Sequence, residues 1–353
     1  MNKASARPSV VFAIPGDLDA RTGGYLYDKR IAEGLRGCGW DVATLNLGGS
    51  FPNPTDVDMQ EALSALAAVP GDHVLLIDGL AYGALETQGL HAFQAPICAL
   101  VHHPLALESG VPTVRATYLK ALETANLALA HQVVVTSPHT AEILVRDFAV
   151  PQAIITAARP GTDRPSQPRR SLDTHRILAV GSLTERKGHD VLLAALSRLT
   201  DLSWTAAIVG GPHDPSVAEA LAAQRTALGL QNRLEFKGEL GTAALHAEYA
   251  SASLFALATR YEGYGMVFAE ATAHGLPIIS CDAGAVRHTA PVDASILVTP
   301  DDPAAFAAAV RSVLTDPALL ARLGASAQRA ATDLPTWDAA VQRVAHALAR
   351  TAA

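Results

Sequence analysis

Short runs of β-branched and leucine-type residues alternate with longer helical patterns along almost the whole chain. The first run, Ser9–Ile14, leads through a glycine-bearing loop into a helical pattern from about Tyr25 to Cys38. Strand-like runs follow at Asp41–Leu45, Val74–Ile77, Ile97–Val101 and Gln132–Thr136, with helical patterns at Val111–Leu129 and Pro138–Asp147. Apolar strands separated by helices predict a parallel sheet covered on both faces. The pattern breaks between Arg159 and Arg170, where three prolines, a glycine and four arginines exclude regular structure, so a linker is placed here. It then restarts with strands at Arg176–Val180, Trp204–Val209, Leu234–Phe236, Leu254–Ala258 and Pro277–Ser280. The helices between them are read at His189–Arg198, Val217–Leu228, Thr242–Ala250 and Met266–His274, and terminal helices run from Pro303 onward. The expectation is an α/β protein of two doubly wound domains, residues 1–165 and 166–353, with a cleft between them.

Composition agrees with this division. A chain of 353 residues suits two domains of ordinary size, and 49% hydrophobic against 17% charged residues supplies large cores. Aromatics are only 5%, which favours helices on sheets over a β-sandwich. The net charge of −7 argues against nucleic acid as a partner. Residues 1–160 hold ten basic and fifteen acidic side chains, so anionic lipid would repel them, and stable membrane association is not indicated. No apolar run approaches the roughly 18 residues of a membrane span. Met1–Pro8 is short and polar and reads as no signal peptide. Cys38, Cys98 and Cys281 lack disulfide or metal spacing, so thiols in a reducing, cytoplasmic setting are expected.

The segment Arg260-Tyr-Glu-Gly-Tyr-Gly-Met-Val-Phe-Ala-Glu270 follows a strand and opens a helix. In open α/β sheets ligands bind beyond the carboxyl ends of strands. Gly263 and Gly265 let the backbone approach a ligand beside Tyr264. The amides from Gly265 through Met266 to Val267, at the helix start, suit a diphosphate. Glu270 sits one turn inside, and helical side chains lean toward the N-terminus, which carries it toward a ribose hydroxyl pair. Glu262 on the loop is placed to accept from sugar hydroxyls. A pair of glutamates eight apart is common by chance; the glycines, the preceding strand and the stop at Gly275-Leu-Pro277 make it specific. A second segment, Val180-Gly-Ser-Leu-Thr-Glu-Arg-Lys-Gly188, again joins strand, tight loop and helix, and sets Lys187 to neutralise a phosphate.

Together these segments resemble the signature of the retaining glycosyltransferases of family 4, which have the GT-B fold of two Rossmann-like domains. Glu262 and Glu270 match the family's paired glutamates, and Lys187 its lysine. Where the family has an arginine just after Gly181 this chain has Ser182, leaving Arg186 or Arg260 to supply the charge. Val209-Gly-Gly211, Phe236-Lys-Gly238 and the turn Asp282–Val286 match more loosely. Gly23 and Gly24 fall where the family has its double glycine near the donor phosphates and the acceptor. His102, of Leu100-Val-His-His-Pro104, falls at the family's histidine, which implies that it hydrogen-bonds the transferred sugar and stabilises an oxocarbenium-like state. The likeness runs from about Val10 to Ala345, and implies that a last helix, about Trp337–Arg350, packs back on the first domain.

The expected activity is transfer of a sugar from a UDP-, GDP- or ADP-type donor to an unidentified acceptor with retention, and with no metal or other cofactor. His102, Lys187 and Glu262 are the catalytic candidates. Gly23, Gly24, Arg186, Lys187, Glu262–Val267 and Glu270 are the donor-binding ones. A sugar-nucleotide epimerase or phosphorylase on the same fold, or a non-catalytic binding subunit, are the alternatives. Asp17/Asp19 and Asp56/Asp58 mimic a metal-binding Asp-x-Asp, but the second pair suits a helix start. The thirteen histidines show no zinc spacing, and a nicotinamide-type Gly-x-Gly-x-x-Gly turn is absent.

Overall fold

The computed structural model describes residues 7–20, 22–108, 110–165 and 175–352. Residues 1–6 of the polar start and 166–170 of the segment read as a linker therefore lie outside the described residues. The chain forms two compact units, one running to Gly161 and resuming at Pro335, the other spanning Thr162–Leu334.

The first unit contains β1 (Ser9–Ile14), α1 (Gly23–Gly37), β2 (Asp41–Asn46), α2 (Asp56–Ala67), β3 (Val74–Asp78), and the short α3 (Gly79–Tyr82) and α4 (Thr87–Leu90). Then come β4 (Ile97–Val101), α5 (Thr113–Leu127), β5 (Gln132–Val135), α6 (Pro138–Phe148) and β6 (Ile155–Ala157). Its six strands are all parallel, in the order β2-β1-β3-β4-β5-β6. Every residue of β3, β4 and β5 is buried, as a sheet covered on both faces requires. Asp56 and Asp58 do open a helix: Thr55 and Asp58 form a reciprocal capping box at the start of α2.

The second unit contains β7 (His175–Val180), α7 (His189–Leu196), β8 (Trp204–Val209), α8 (Pro215–Ala227), β9 (Leu234–Gly238), α9 (Thr242–Ser251) and β10 (Leu254–Leu257). It continues through α10 (Met266–Ala273), β11 (Ile278–Cys281), the short α11 (Val286–Thr289), β12 (Ser295–Val298), α12 (Pro303–Thr315) and α13 (Pro317–Ala330). The parallel order is β12-β11-β10-β7-β8-β9, the doubly wound Rossmann arrangement in which β7 and β10 are neighbours at the point where the winding reverses.

The final helix, α14 (Trp337–Thr351), belongs to the first unit. Its apolar stripe Ala340, Val341, Val344, Ala347 and Leu348 shares one core with Tyr27, Ile31 and Leu35 of α1 and with Val10, Phe12 and Ile14 of β1. The fit is tight, since a Cβ on Gly34 would collide with the Val341 side chain. Two short edge strands, β6 and β12, carry no clear signal in the sequence; each is only half-buried. Among the described residues no single helix is long and apolar enough to cross a membrane.

Candidate functional site

The two chemistry-bearing loops of the second unit start from adjacent strands. One leaves β7 and carries Arg186 and Lys187; the other leaves β10 and carries Glu262. A switch point of this kind opens a crevice at the carboxyl ends of the strands, because the two loops diverge to opposite faces.

Lys187 and Glu262 meet there. Lys187 Nζ donates to Glu262 Oε1 at 2.7 Å, and Thr259 Oγ1 lies 3.0 Å from the same oxygen. Arg186 brings Nη1 to 3.5 Å from Glu262 Oε2 and also donates to the Tyr261 carbonyl at 3.1 Å. Glu262 is 4% exposed, so the carboxylate faces inward onto cations. Burial alone would raise its pKa, but the charges of Lys187 and then Arg186 outweigh this and hold it below the usual range. Arg260 is placed otherwise: it pairs with Asp190 and Asp301, each at 2.7 Å, and donates to the Glu185 carbonyl. Of the two arginines weighed at the Ser182 position, the structure brings Arg186 to the site and ties Arg260 to carboxylates beside it.

Local backbone geometry sets these side chains. Gly188 has φ +62° and lies against the Ala258 carbonyl, where any Cβ would clash. This close approach clamps the Lys187 turn onto the end of β10. Gly265 caps α10 with φ +83°, and a Cβ there would meet the Phe268 ring at 2.7 Å. No side chain caps α10, which leaves the amides of its first turn at Met266 and Val267 as donors. The Glu262–Tyr264 loop is braced from the turn after β11, where the Ala285 N–H donates to the Glu262 carbonyl at 2.8 Å. Thr289 Oγ1 donates to the Tyr264 carbonyl at 2.6 Å.

Glu270 lies inside α10, where Tyr249 OH of α9 donates to its Oε2 at 2.7 Å. Burial raises the Glu270 pKa, against the lowering by that hydrogen bond. Tyr249 in turn stacks on His274, with ring centroids 5.1 Å apart. His189 is a further residue that motif reading passes over. Its Nε2 lies 3.2 Å from the Gly181 carbonyl and 3.3 Å from that of Ser182, so it tethers the start of the loop after β7. Burial lowers its pKa to about 4, which keeps the ring neutral with Nε2–H donating.

In the first unit, Gly23 and Gly24 form the first turn of α1, whose N-cap Thr22 accepts from the Tyr25 N–H. His102 stands just past β4, and Gly24 borders its ring, with the nearest approach of an added Cβ at 3.7 Å from Nε2. His102 Nε2 lies 3.1 Å from Asp28 Oδ1 and 3.3 Å from Asp78 Oδ2. His103 turns elsewhere and pairs with Glu108 at 2.7 Å. The structure thus gathers Arg186, Lys187 and Glu262 in one unit, and Gly24 and His102 in the other.

Two doubly wound units, one with cations and helix amides gathered at a strand switch point, define an α/β protein of GT-B architecture. Residues 174–316 match the sequence family described as glycosyl transferases group 1. Over 326 residues the chain is 30% identical to the MMP alpha-(1->4)-mannosyltransferase of Mycolicibacterium hassiacum, covering 86% of this chain and 77% of that protein. It is 28% identical over 240 residues to the D-inositol 3-phosphate glycosyltransferase of Streptomyces avermitilis, covering 62% of this chain and 52%, about half, of that relative. Sucrose-phosphate synthase from Thermosynechococcus elongatus superposes with a TM-score of 0.81 at 22% identity, covering 96% of this chain and 98% of that one. Anabaena HepE in complex with UDP-glucose superposes with a TM-score of 0.78 at 16% identity, covering 97% and 99%. The structural likenesses establish the shared fold. The chain belongs to the group 1 glycosyl transferases and is a glycosyltransferase of the GT-B fold.

Proposed function

We propose that this glycosyltransferase takes its sugar from a nucleoside-diphosphate donor and transfers it to an acceptor with retention of anomeric configuration. The observation that carries the reading is the meeting of Lys187, Arg186 and Glu262 at the β7/β10 switch point, next to the uncapped start of α10. Anionic diphosphate suits that place, since two cations and a row of free amides converge where a helix dipole is positive. The complexes of HepE with UDP and with UDP-glucose support a nucleotide-sugar donor by likeness of fold.

In this reading Lys187, Arg186 and the amides of Gly265, Met266 and Val267 hold the diphosphate. Glu270, oriented by Tyr249, takes the ribose hydroxyls. Glu262 fixes the Lys187 ammonium, and Gly263 and Tyr264 shape the loop around the sugar. Gly23 and Gly24 let phosphate or acceptor approach the start of α1, and His102 hydrogen-bonds the transferred sugar. As the glycosidic bond breaks, the leaving phosphate oxygen takes the acceptor hydroxyl's proton on the same face, and the acceptor oxygen bonds to the anomeric carbon. Catalysis is then positioning and charge stabilisation. No metal enters, because cations and amides meet the phosphate charge. A cytoplasmic place of action belongs to the same proposal, supported by the free thiols of Cys38, Cys98 and Cys281.

Steady-state kinetics test the assignment, once a thermal-shift screen of UDP, GDP and ADP sugars has identified the stabilising donor. Lys187→Ala and His102→Ala are expected to lower kcat, the former on the order of 10²–10³. Near wild-type kcat in both variants would place the chemistry elsewhere. Isomerised donor recovered without any acceptor would favour an epimerase.

A further inference from the structure

Two carboxylates meet His102, and neither lies in a motif. Asp28 stands on α1 one helical turn beyond Gly24, so the two share a face of the helix. Asp78 ends β3, beside the β1/β3 switch point of the first sheet. Its Oδ1 accepts from the Leu80 N–H at 2.8 Å, which turns Oδ2 toward the histidine. Both aspartates are 1% exposed, whereas about a fifth of the His102 side chain (21%) remains open.

Both approaches use the same ring atom, Nε2. An ionised carboxylate only accepts hydrogen bonds, so Nε2 must carry the proton it shares. Among the described residues no protein group partners the other nitrogen, Nδ1, and that atom is not sealed from solvent. Thr136 Oγ1 donates to the His102 carbonyl at 3.1 Å, and Tyr27 packs edge-on at 5.4 Å, which fixes the ring plane.

We infer that Asp28 and Asp78 are positioning residues that clamp Nε2 of His102 and hold the ring as an imidazolium, presenting Nδ1–H as the donor to the transferred sugar. This rests on the assignment of His102 to the sugar site. An imidazolium by itself would repel an oxocarbenium-like state. The two carboxylates that flank Nε2 offset that charge, so His102 donates a hydrogen bond while its neighbours supply a favourable field. His102 then has no free lone pair and cannot act as a general base.

The surrounding electrostatics agree. Burial alone would lower the imidazole pKa, but the Asp28 charge and hydrogen bond, then those of Asp78, push it up to about 10. Burial pushes the Asp28 carboxyl up to about 7, with His102 pulling it down and Asp78 adding to the rise. Among the described residues Tyr27 and Tyr25 also face the cluster. Tyr27 is raised by burial, Asp28 and then Cys98, and Tyr25 by burial and then Asp78, Asp28 and Asp17. Both stay neutral and add no charge beside the ring.

The test follows the imidazole resonances of His102 against pH by ¹H–¹⁵N spectroscopy of the full chain, assigned by their loss in His102→Gln. In the wild type the ring is expected to stay protonated beyond pH 8. Asp28→Asn and Asp78→Asn, which keep shape and the cap at Leu80, should each lower the midpoint by about 1–3 pH units. The basic limb of the kcat profile should move with it, while donor KM changes less. A wild-type midpoint near the ordinary histidine value of about 6.5 overturns the clamp, and so does a midpoint unmoved in Asp28→Asn. That wild-type titration decides the matter even if a variant fails to fold. Should His102→Ala keep wild-type kcat, the sugar-donor role is overturned through the site assignment, and the ring titration still decides the clamp by itself.

Discussion

Lys187 Nζ and Glu262 Oε1 stand 2.7 Å apart across 75 residues of sequence, and both side chains are almost sealed from solvent. Such a pair costs desolvation on both sides, and its attraction offsets that cost only while both partners remain. Lys187→Met alone, or Glu262→Gln alone, is expected to lose about 3–5 kcal/mol in urea unfolding. Replacing both with apolar residues should recover most of it. The folded Glu262 pKa is depressed, so its contribution is present above the ordinary carboxylate value and fades as pH falls through the lower folded one. Glu262→Gln should remove that part of the acid sensitivity. Unchanged stability in the single variants would contradict a buried ion pair.

Glu270 and Tyr249 form a second pair, with the tyrosine OH donating at 2.7 Å. A ribose contact changes little between ground and transition states, so its loss weakens binding more than turnover. Glu270→Gln should therefore raise donor KM with a smaller fall in kcat, and Tyr249→Phe should show the same pattern more mildly. The reverse split, kcat falling at constant KM, would move Glu270 from the ribose to the reacting centre.

The diphosphate charge is assigned to Lys187, Arg186 and the α10 amides, so turnover should survive exhaustive chelation. The measurement is the initial rate after treatment with EDTA and then with added magnesium or manganese. Complete loss on chelation, restored by either ion, would overturn the assignment.

Glu123, buried on α5, accepts from the Leu105 N–H with its two oxygens at 3.2 and 3.1 Å. Burial nevertheless pushes its pKa up to about 8, against the lowering by the backbone donors of Leu105 and Ala106. A carboxyl raised in the folded state contributes fully below its ordinary value and loses that contribution as pH rises toward 8. The Tm advantage of the wild type over Glu123→Gln should therefore shrink between about pH 5 and pH 8. A difference independent of pH would show that Glu123 is not buried as the neutral acid.

The alternation of strands and helices was legible from the chain alone, because fully buried parallel strands leave uninterrupted apolar runs such as Val74–Ile77 and Ile97–Val101. So were the two loops of the second unit, whose glycines answer to local backbone demands at Gly188 and Gly265. The edge strands β6 and β12 were not legible, since three or four half-buried residues carry no periodicity. Which side chains meet followed from the packing of elements far apart in the chain. Strand order made neighbours of β7 and β10, and so joined Lys187 to Glu262. Packing turned Arg186 toward Glu262 and gave Arg260 to Asp190 and Asp301. Asp28 and Asp78 looked like ordinary polar positions on a helix and at a strand end until the sheet brought them to one nitrogen of His102. Periodicity records the face a residue presents to its own element, whereas partnership depends on how distant elements are stacked.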